Sequence, residues 1–297
     1  MASLKEIKGR IGSVKSTLKI TSAMKMVSSA KLHKAQQAIG SMLPYQRQLS
    51  AMLNDLLADY ASKLAEGKVE PVSLGGFSEN RPEVRNVAVL AFASNSSLCG
   101  AFNANAARKT LETVREIEVS GASVTVFAAG KKMSEALRKN GIPISGDYHS
   151  LVEKPSYSGA AELASMLMEG FLDGRFDRVE LVYNHFASTA SQPPVREVFL
   201  PAVLPAAAPG SSGNPLYIVE PSLPELLLEL LPKVLKLKVY TALLDTVAAE
   251  HAARTVAMQT ATDNGNDILR DLTLEYNKGR QQRITSEILD IVGGSMV

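Results

Sequence analysis

Residues 4–18, LKEIKGRIGSVKSTL, put apolar side chains at Leu4, Ile7, Ile11, Val14 and Leu18, a 3-4-3-4 spacing. That period is what one helix needs to lay a continuous seam against another. The seam resumes at Ala38, Met42, Tyr45, Leu49, Met52 and Leu56. In between it thins to Ala23, Ser28, Ser29, Ala30 and Ala35, small residues that permit a close helix approach. Similar spacing returns far downstream, at Val234 and Leu235, then Leu244 and Val247, then Leu269, Leu272 and Tyr276, then Ile284, Ile288 and Ile291. A lone helix of that length has no packing to hold it. Each terminal segment therefore needs the other as its partner, and the chain must leave a helical rod and come back to it.

Local signals bound these helices. Ser3 with Glu6 three residues on has capping-box spacing. Pro44 is expected to kink or interrupt the first helix near Leu43. The last helix is expected to begin near Ser222, with Pro224 in its first turn and Pro232 breaking or kinking the leucine-rich start. From Lys233 to Ile291 only the isolated Gly265 and Gly279 interrupt it, a span of roughly 90 Å at the helical rise. The expected division is an N-terminal helix over 1–60, a linker over 61–83, an α/β domain over 84–200, a second linker over 201–221 and a C-terminal helix over 222–297.

The middle of the chain has a different period. Residues 85–93, RNVAVLAFA, are a continuous apolar run of the kind found in a strand buried on both faces. A helix over 103–118, a strand over 123–129, a helix over 131–140 and a short strand near Ile142–Ser145 follow. Then come a helix over 157–172 and strands over 178–186 and 195–200. Alternating strands and helices predict a Rossmann-like α/β domain with a mostly parallel sheet, its last two strands able to form a hairpin edge.

Composition narrows the function. A hydrophobic content of 45% is enough to build a core in the middle segment. No stretch reaches the ~20 apolar residues of a spanning helix, and the start has no apolar signal region, which points to a soluble cytoplasmic protein. The single cysteine, Cys99, excludes an internal disulfide. Residues 1–47 carry seven Lys and two Arg against Glu6, a net +8, so the other 250 residues hold −6 to give the chain's +2. Such a basic helix can face an acidic neighbour helix or dock inside a larger assembly. Nucleic acid fits less well, because no aromatics interleave with the lysines. A membrane surface fits poorly too, because the charges are not confined to one face.

No constellation of residues reads as an active site. The loop SNSSLCGAFN (94–103) lies where doubly wound sheets bind ligands, yet it has no Gly-rich phosphate motif. Cys99 is better read as a small buried hydrophobe than as a nucleophile. His33, His149, His185 and His251 lack ligand spacing, and Asp263 and Asp267 are solvated charges on one helix face. Arg280, Gln281, Gln282 and Arg283 form a polar cluster that could grip an encircling protein. No cofactor is expected.

Three blocks taken together resemble the γ subunit of F-type ATP synthase: RIGSVKSTLKITSAMKMVSSAK (10–31), SNSSLCGAFN (94–103) and ARTVAMQTATDNGNDILRDLTLEYNKGRQQRITSEILDIVGG (253–294). In the central block Asn95, Ser96 and Ser97 stand where the family usually has Asp and then Arg-Gly or Lys-Gly. The resemblance implies an antiparallel coiled coil inside a hexamer of three α and three β subunits. The α/β domain would dock on the ε subunit and the c-subunit ring, and catalysis would occur on β. It implies rotor–stator contacts or coupling roles for Met24, Lys25, Arg254, Gln281 and Thr285. It also implies that Val14 lies beside Leu243–Val256, and that small residues with mobile lysines give the shaft a slippery surface. One cysteine is too few for the thiol switch of chloroplast members, which points to the cytoplasmic face of a bacterial inner membrane. Two other readings remain at this point, a coiled-coil scaffold with a ligand-binding α/β module and an enzyme using Cys99.

Overall fold

The computed structural model describes residues 3–65, 76–78, 81, 83–202 and 217–294. Helix α1 (Leu4–Ala65) starts at its expected cap, the Ser3 hydroxyl accepting the Glu6 N–H at 3.2 Å. It runs unbroken through Pro44, so the expected interruption near Leu43 does not occur, and residues 61–65 continue the helix. A proline inside a helix costs one hydrogen bond and about 3 kcal/mol. Leu53, Leu56, Leu57 and Tyr60, all buried just beyond it, outweigh that. Pro232 likewise sits inside α6 (Leu223–Gly294) without breaking it, flanked by buried Leu230, Leu231 and Leu235. The Ser222 hydroxyl accepts the Glu225 N–H at that helix's start. Most of the second expected linker lies outside the described residues.

Two compact units divide the chain, Met1–Ala30 with Arg254–Val297, and Lys31–Ala253. In the larger unit, strands β1 (Asn86–Phe92), β2 (Ser123–Ala129), β3 (Ile144–Asp147), β4 (Arg178–Asn184) and β5 (Pro194–Leu200) form one sheet in the order β3-β2-β1-β4-β5. β1 to β4 are parallel and β5 returns antiparallel to β4, the expected hairpin edge. Helices α2 (Phe102–Val119) and α3 (Lys131–Lys139) cover one face through Ala106, Val114, Ile117, Met133 and Leu137. The other face carries α5 (Tyr157–Leu172) and a short α4 (His149–Glu153) that the sequence pattern did not suggest. The unit's own stretches of α1 and α6 join this second core through Leu32, Leu56, Leu227, Leu235 and Leu243. Both faces are thus closed, which is why β1 reads as an unbroken apolar run.

A buried carboxylate fixes the hairpin edge. Glu180 on β4 is 1% exposed and receives the Arg196 guanidinium of β5 through two contacts, at 2.6 and 3.1 Å. Arg196 reaches on to Glu116 of α2 at 2.5 Å, and Arg178 stands 2.9 Å from Glu180. Glu180 hydrogen bonds hold the Arg196 guanidinium above its ordinary pKa despite burial. Pairing of this kind is what makes a buried charge tolerable.

In the smaller unit, the ends of α1 and α6 pair antiparallel. A Cβ on Gly265 would come within 2.7 Å of Leu18, and one on Gly279 within 3.1 Å of Leu4. Thr21 and Thr262 share a hydroxyl hydrogen bond at 3.0 Å. Leu4 and Leu18 are two heptads apart, as are Gly265 and Gly279, so each leucine seats in a glycine socket. That register corrects one expectation: continued along the seam, it brings Val14 beside Leu269, not beside Leu243–Val256. A second correction concerns the seam's end. Leu4 already meets Gly279, so α1 offers nothing beyond it, and Ile284, Ile288 and Ile291 stand exposed at 47, 54 and 72%.

Candidate functional site

The smaller unit's outer surface is the first candidate. Lys5, Lys8, Arg10, Lys15 and Lys19 are exposed, and none makes an ion pair among the described residues. No α6 carboxylate pairs directly with these charges among the described residues. Between these charges Ile20, Met26 and Val27 project outward, each more than half exposed. The seam takes Thr21 and the buried Ser28, and so turns the larger apolar neighbours toward solvent. A surface of small residues and lysines alone describes it incompletely. On α6 the exposed apolar set is Val256, Ile268 and Leu274, then Ile284, Ile288, Leu289, Ile291 and Val292.

The residues singled out in the sequence are spread along these helices. Met24 and Lys25 are half-buried on α1. Arg254 is 7% exposed and engaged. Gln281 and Thr285 are exposed one turn apart, the Thr285 hydroxyl donating to the Gln281 carbonyl at 2.9 Å. Arg254 and Gln281 are 27 residues apart on one helix, about 40 Å at its rise, so these positions form no single pocket. Arg283 pairs with Glu287 of the next turn at 3.0 Å, which accounts for its charge locally. Among the described residues no group of His, Cys, Asp and Glu could hold a metal ion, and no helix is long and apolar enough to cross a membrane.

The second candidate is the crevice of the sheet. Strand order reverses between β1 and β4, and ligands of doubly wound sheets bind beyond the carboxyl ends of such a pair. Here the loop after β1 is internally braced. Asn103 accepts the Ser94 N–H at 3.0 Å, and its amide N–H₂ reaches the Ser96 carbonyl at 3.2 Å and the Cys99 sulfur at 3.1 Å. Leu98 holds a left-handed φ of +65° at the turn. Asn95 uses both ends of its amide, accepting the Lys131 N–H at 2.9 Å and donating to the His149 carbonyl at 2.8 Å. An aspartate, usual there in the family the sequence resembles, could only accept. Gly130 permits the close strand-to-helix approach beside it, since a Cβ would lie 2.1 Å from the Ala93 carbonyl.

What fills the crevice is α6. Cys99 and Phe102 pack in one buried cluster with Ala249, joined by Phe186 and Ala253. Cys99 is 1% exposed, as its reading as a buried hydrophobe anticipates. Asp245, one turn before Ala249, accepts the Phe186 N–H at 2.8 Å and lies 2.5 Å from His185 Nδ1. Beside it a groove of ≈ 950 Å³ opens between α1, the β4–β5 hairpin and α6. There the Tyr183 phenol donates to Glu197, which also pairs with Lys238 at 2.9 Å. Burial first, then the Glu197 and Asp245 charges, push that phenol far above its ordinary pKa, so it remains a neutral donor. The sequence pattern located the loop but not its occupant. Ala249 and Ala253 are unremarkable in a helix, and only their four-residue spacing hints at a shared face.

The family model described as ATP synthase matches residues 3–296. The chain is similar to the ATP synthase gamma chain of Bacteroides fragilis, 52% identical over 300 residues and covering all of both chains. It is also similar to the gamma chain of Flavobacterium johnsoniae, 44% identical over 99% of this chain and 98% of that one. Among solved structures it is similar in fold to a chain of the Tetrahymena thermophila mitochondrial ATP synthase central stalk and c-ring. That likeness has a TM-score of 0.52 and 20% identity, and covers 82% of this chain and 99% of that one. A chain of the Euglena gracilis mitochondrial ATP synthase matches with the same TM-score at 19% identity, over 90% and 94% of the two chains.

Proposed function

The chain belongs to the ATP synthase gamma-chain family, and from that premise we infer how its two units work as the central-stalk rotor of an F-type ATP synthase. It is a non-catalytic subunit, with ATP made and hydrolysed on the surrounding α/β hexamer. Its partners are the α and β subunits, the ε subunit and the c-ring, and it is peripheral to the membrane through that complex. Rotation converts ion flow into changes of nucleotide affinity, a coupling free energy between distant sites.

The observation that carries the rotor reading is the smaller unit's surface. A basic face whose Lys5, Lys8, Arg10, Lys15 and Lys19 make no ion pair among the described residues, and apolar side chains from Ile284 to Val292 left uncovered, are what a shaft needs if other subunits surround it. We assign Met24, Lys25, Gln281 and Thr285 to the rotor–stator surface, and Arg254 to bracing the shaft beneath it, since it is itself buried. The sheath lies on the cytoplasmic side of a bacterial inner membrane in this reading.

Purification from the source cells tests it. The chain should co-elute at near-stoichiometric ratio with α and β subunits and with ATPase activity, and should have none alone; elution with unrelated partners would refute the rotor reading. For the assigned surface, Met24→Lys should lower proton pumping per ATP more than it lowers assembly. Unchanged pumping efficiency in the assembled variant would remove Met24 from the set.

A further inference from the structure

The ligand crevice of the sheet is occupied by the chain's own helix, and we propose that this plugged crevice is the joint through which torque passes between the α/β domain and α6. The proposal rests on the rotor reading above. Three observations support it. First, the crevice is closed by direct packing, with Cys99 on the loop after β1, Phe102 at the start of α2, Phe186 on the segment after β4, and Ala249 on α6. Two alanines let the helix backbone come close, and the aromatic rings leave it little room to slide. Second, the contact is keyed polarly at its edge. Asp245 is 19% exposed at its side chain and is held by both the Phe186 N–H and His185. A twist of α6 relative to the sheet must break those two hydrogen bonds together. Third, the loop that forms the socket is braced by Asn103 and tied by Asn95 to α3 and α4, so force on it spreads into the sheet and is not absorbed by a flexible turn.

This also gives a physical account of why a doubly wound sheet in this chain carries no phosphate-binding motif. Where such a motif would act, Ala249 stands. The fold is used as a handle, its ligand site serving as the grip.

A mechanical joint makes a prediction that simple domain stability does not. In inverted membrane vesicles carrying the whole complex, Asp245→Ala combined with His185→Ala should loosen the key while the apolar packing remains. ATP hydrolysis per assembled complex should stay near the parental rate, and proton pumping per ATP should fall by roughly threefold or more. Phe186→Leu gives an independent, milder loosening and should show a smaller fall of the same ratio. A merely structural role would reduce hydrolysis and pumping together with the amount of assembled complex, leaving the ratio unchanged, and that result overturns the proposal. A second measurement needs no variant. Cys99 is the chain's single cysteine, so maleimide labelling of this subunit reports on the crevice alone. Labelling should be no faster during ATP turnover than at rest. Acceleration by ATP would mean that the crevice opens as the shaft turns, which also overturns the proposal. Failure of the rotor reading itself would look different: the parental chain would not co-purify with ATPase at all.

Discussion

The chain's two compact units are built from the same two helices yet bury themselves in opposite ways. In Lys31–Ala253, α1 and α6 are two pieces of a layered core, and Ala88, Leu90, Phe92, Leu181, Leu227 and Val239 are fully enclosed. In Met1–Ala30 with Arg254–Val297, those helices have only each other. Few of their residues are buried, and eight large apolar side chains of α6 from Val256 onward stand open to solvent. The larger unit is stabilised by its own contents. The smaller one is held by a single helix-on-helix seam and leaves part of its apolar surface exposed. Mutations should therefore cost the isolated chain much more in one unit than in the other, and that asymmetry can be attacked directly.

The largest effect should come from the sheet. Phe92 ends the central strand β1 and is fully buried. Phe92→Ala should destabilise the isolated chain by about 3–5 kcal/mol, the lost transfer energy plus the cavity left behind. Ile288→Ala, at 54% exposure in the smaller unit, should change it by less than about 0.5 kcal/mol. Denaturant unfolding of both variants checks the contrast. Equal losses would mean that the exposed end of α6 is buried in the free chain, and the comparison would fail.

Next is the tie at the foot of the sheet. Burial raises the Asp177 carboxyl, but the Arg81 guanidinium and the Asn86 and Arg85 N–H groups outweigh it and hold it below its ordinary value of 3.8. Those contacts measure 2.8, 2.8 and 2.9 Å, and Arg81 also reaches the Phe171 carbonyl. A depressed folded pKa means stabilisation that is fully present above the unfolded value and is lost as pH falls through the folded one. The chain's stability should therefore decline as pH drops below about 4. Asp177→Asn should cost about 1.5–3 kcal/mol at pH 7 and flatten part of that acid decline, since nothing remains there to protonate. A variant with the parental acid limb would remove Asp177 from the account.

The sequence disclosed these regions unequally, for physical reasons. β2 and α5 lie where periodicity put them, because a strand buried on both faces and a core-facing helix leave strong patterns. The Ser94–Asn103 loop was found by its place after a buried strand. The prolines do not interrupt their helices because local propensity is weak against packing: Pro44 and Pro232 each remove one hydrogen bond in a helix whose neighbours bury several leucines. The helix register misled because it is written in glycine. Gly265 and Gly279 read as interruptions, yet both continue the seam spacing of Met258, Leu269, Leu272 and Tyr276. The partner of the loop was invisible because Ala249 meets Cys99 and Phe102 only through topology, across well over a hundred residues of chain, and Asp245 meets Phe186 across 59. Gln281 and Thr285 came from resemblance alone; no physical pattern in this chain singles them out.

The glycine sockets give the two smallest predictions and grade the seam itself. At Gly265 an added Cβ would stand 2.7 Å from one Leu18 carbon and 3.2 Å from another. Overpacking of that kind costs about 1–3 kcal/mol, offset by about 1 kcal/mol from replacing glycine inside a helix. The net for Gly265→Ala should be a loss of about 1 kcal/mol, because the obstructing atoms are the ends of a flexible side chain. Disulfide formation between cysteines introduced at Val14 and Leu269 should slow in that background, whereas the same cysteine at Val14 paired with one at Ile284 should not crosslink in either.

At Gly279 the balance tips the other way. The nearest atom is again a leucine methyl, at 3.1 Å, but Leu4 lies in the first turn of α1. Its backbone is held by the Ser3 cap and by little packing, so a shift of a few tenths of an ångström is cheap. The helix-propensity gain of about 1 kcal/mol is then nearly uncompensated. Gly279→Ala should leave the chain's stability unchanged or raise it by up to about 1 kcal/mol, with slower amide exchange from Tyr276 to Gln282. If Gly279→Ala instead cost as much as Gly265→Ala, the grip between the helices would be uniform to its end. The exposed stretch from Ile284 onward would then begin at an abrupt boundary, where a gradual loosening of the seam is expected.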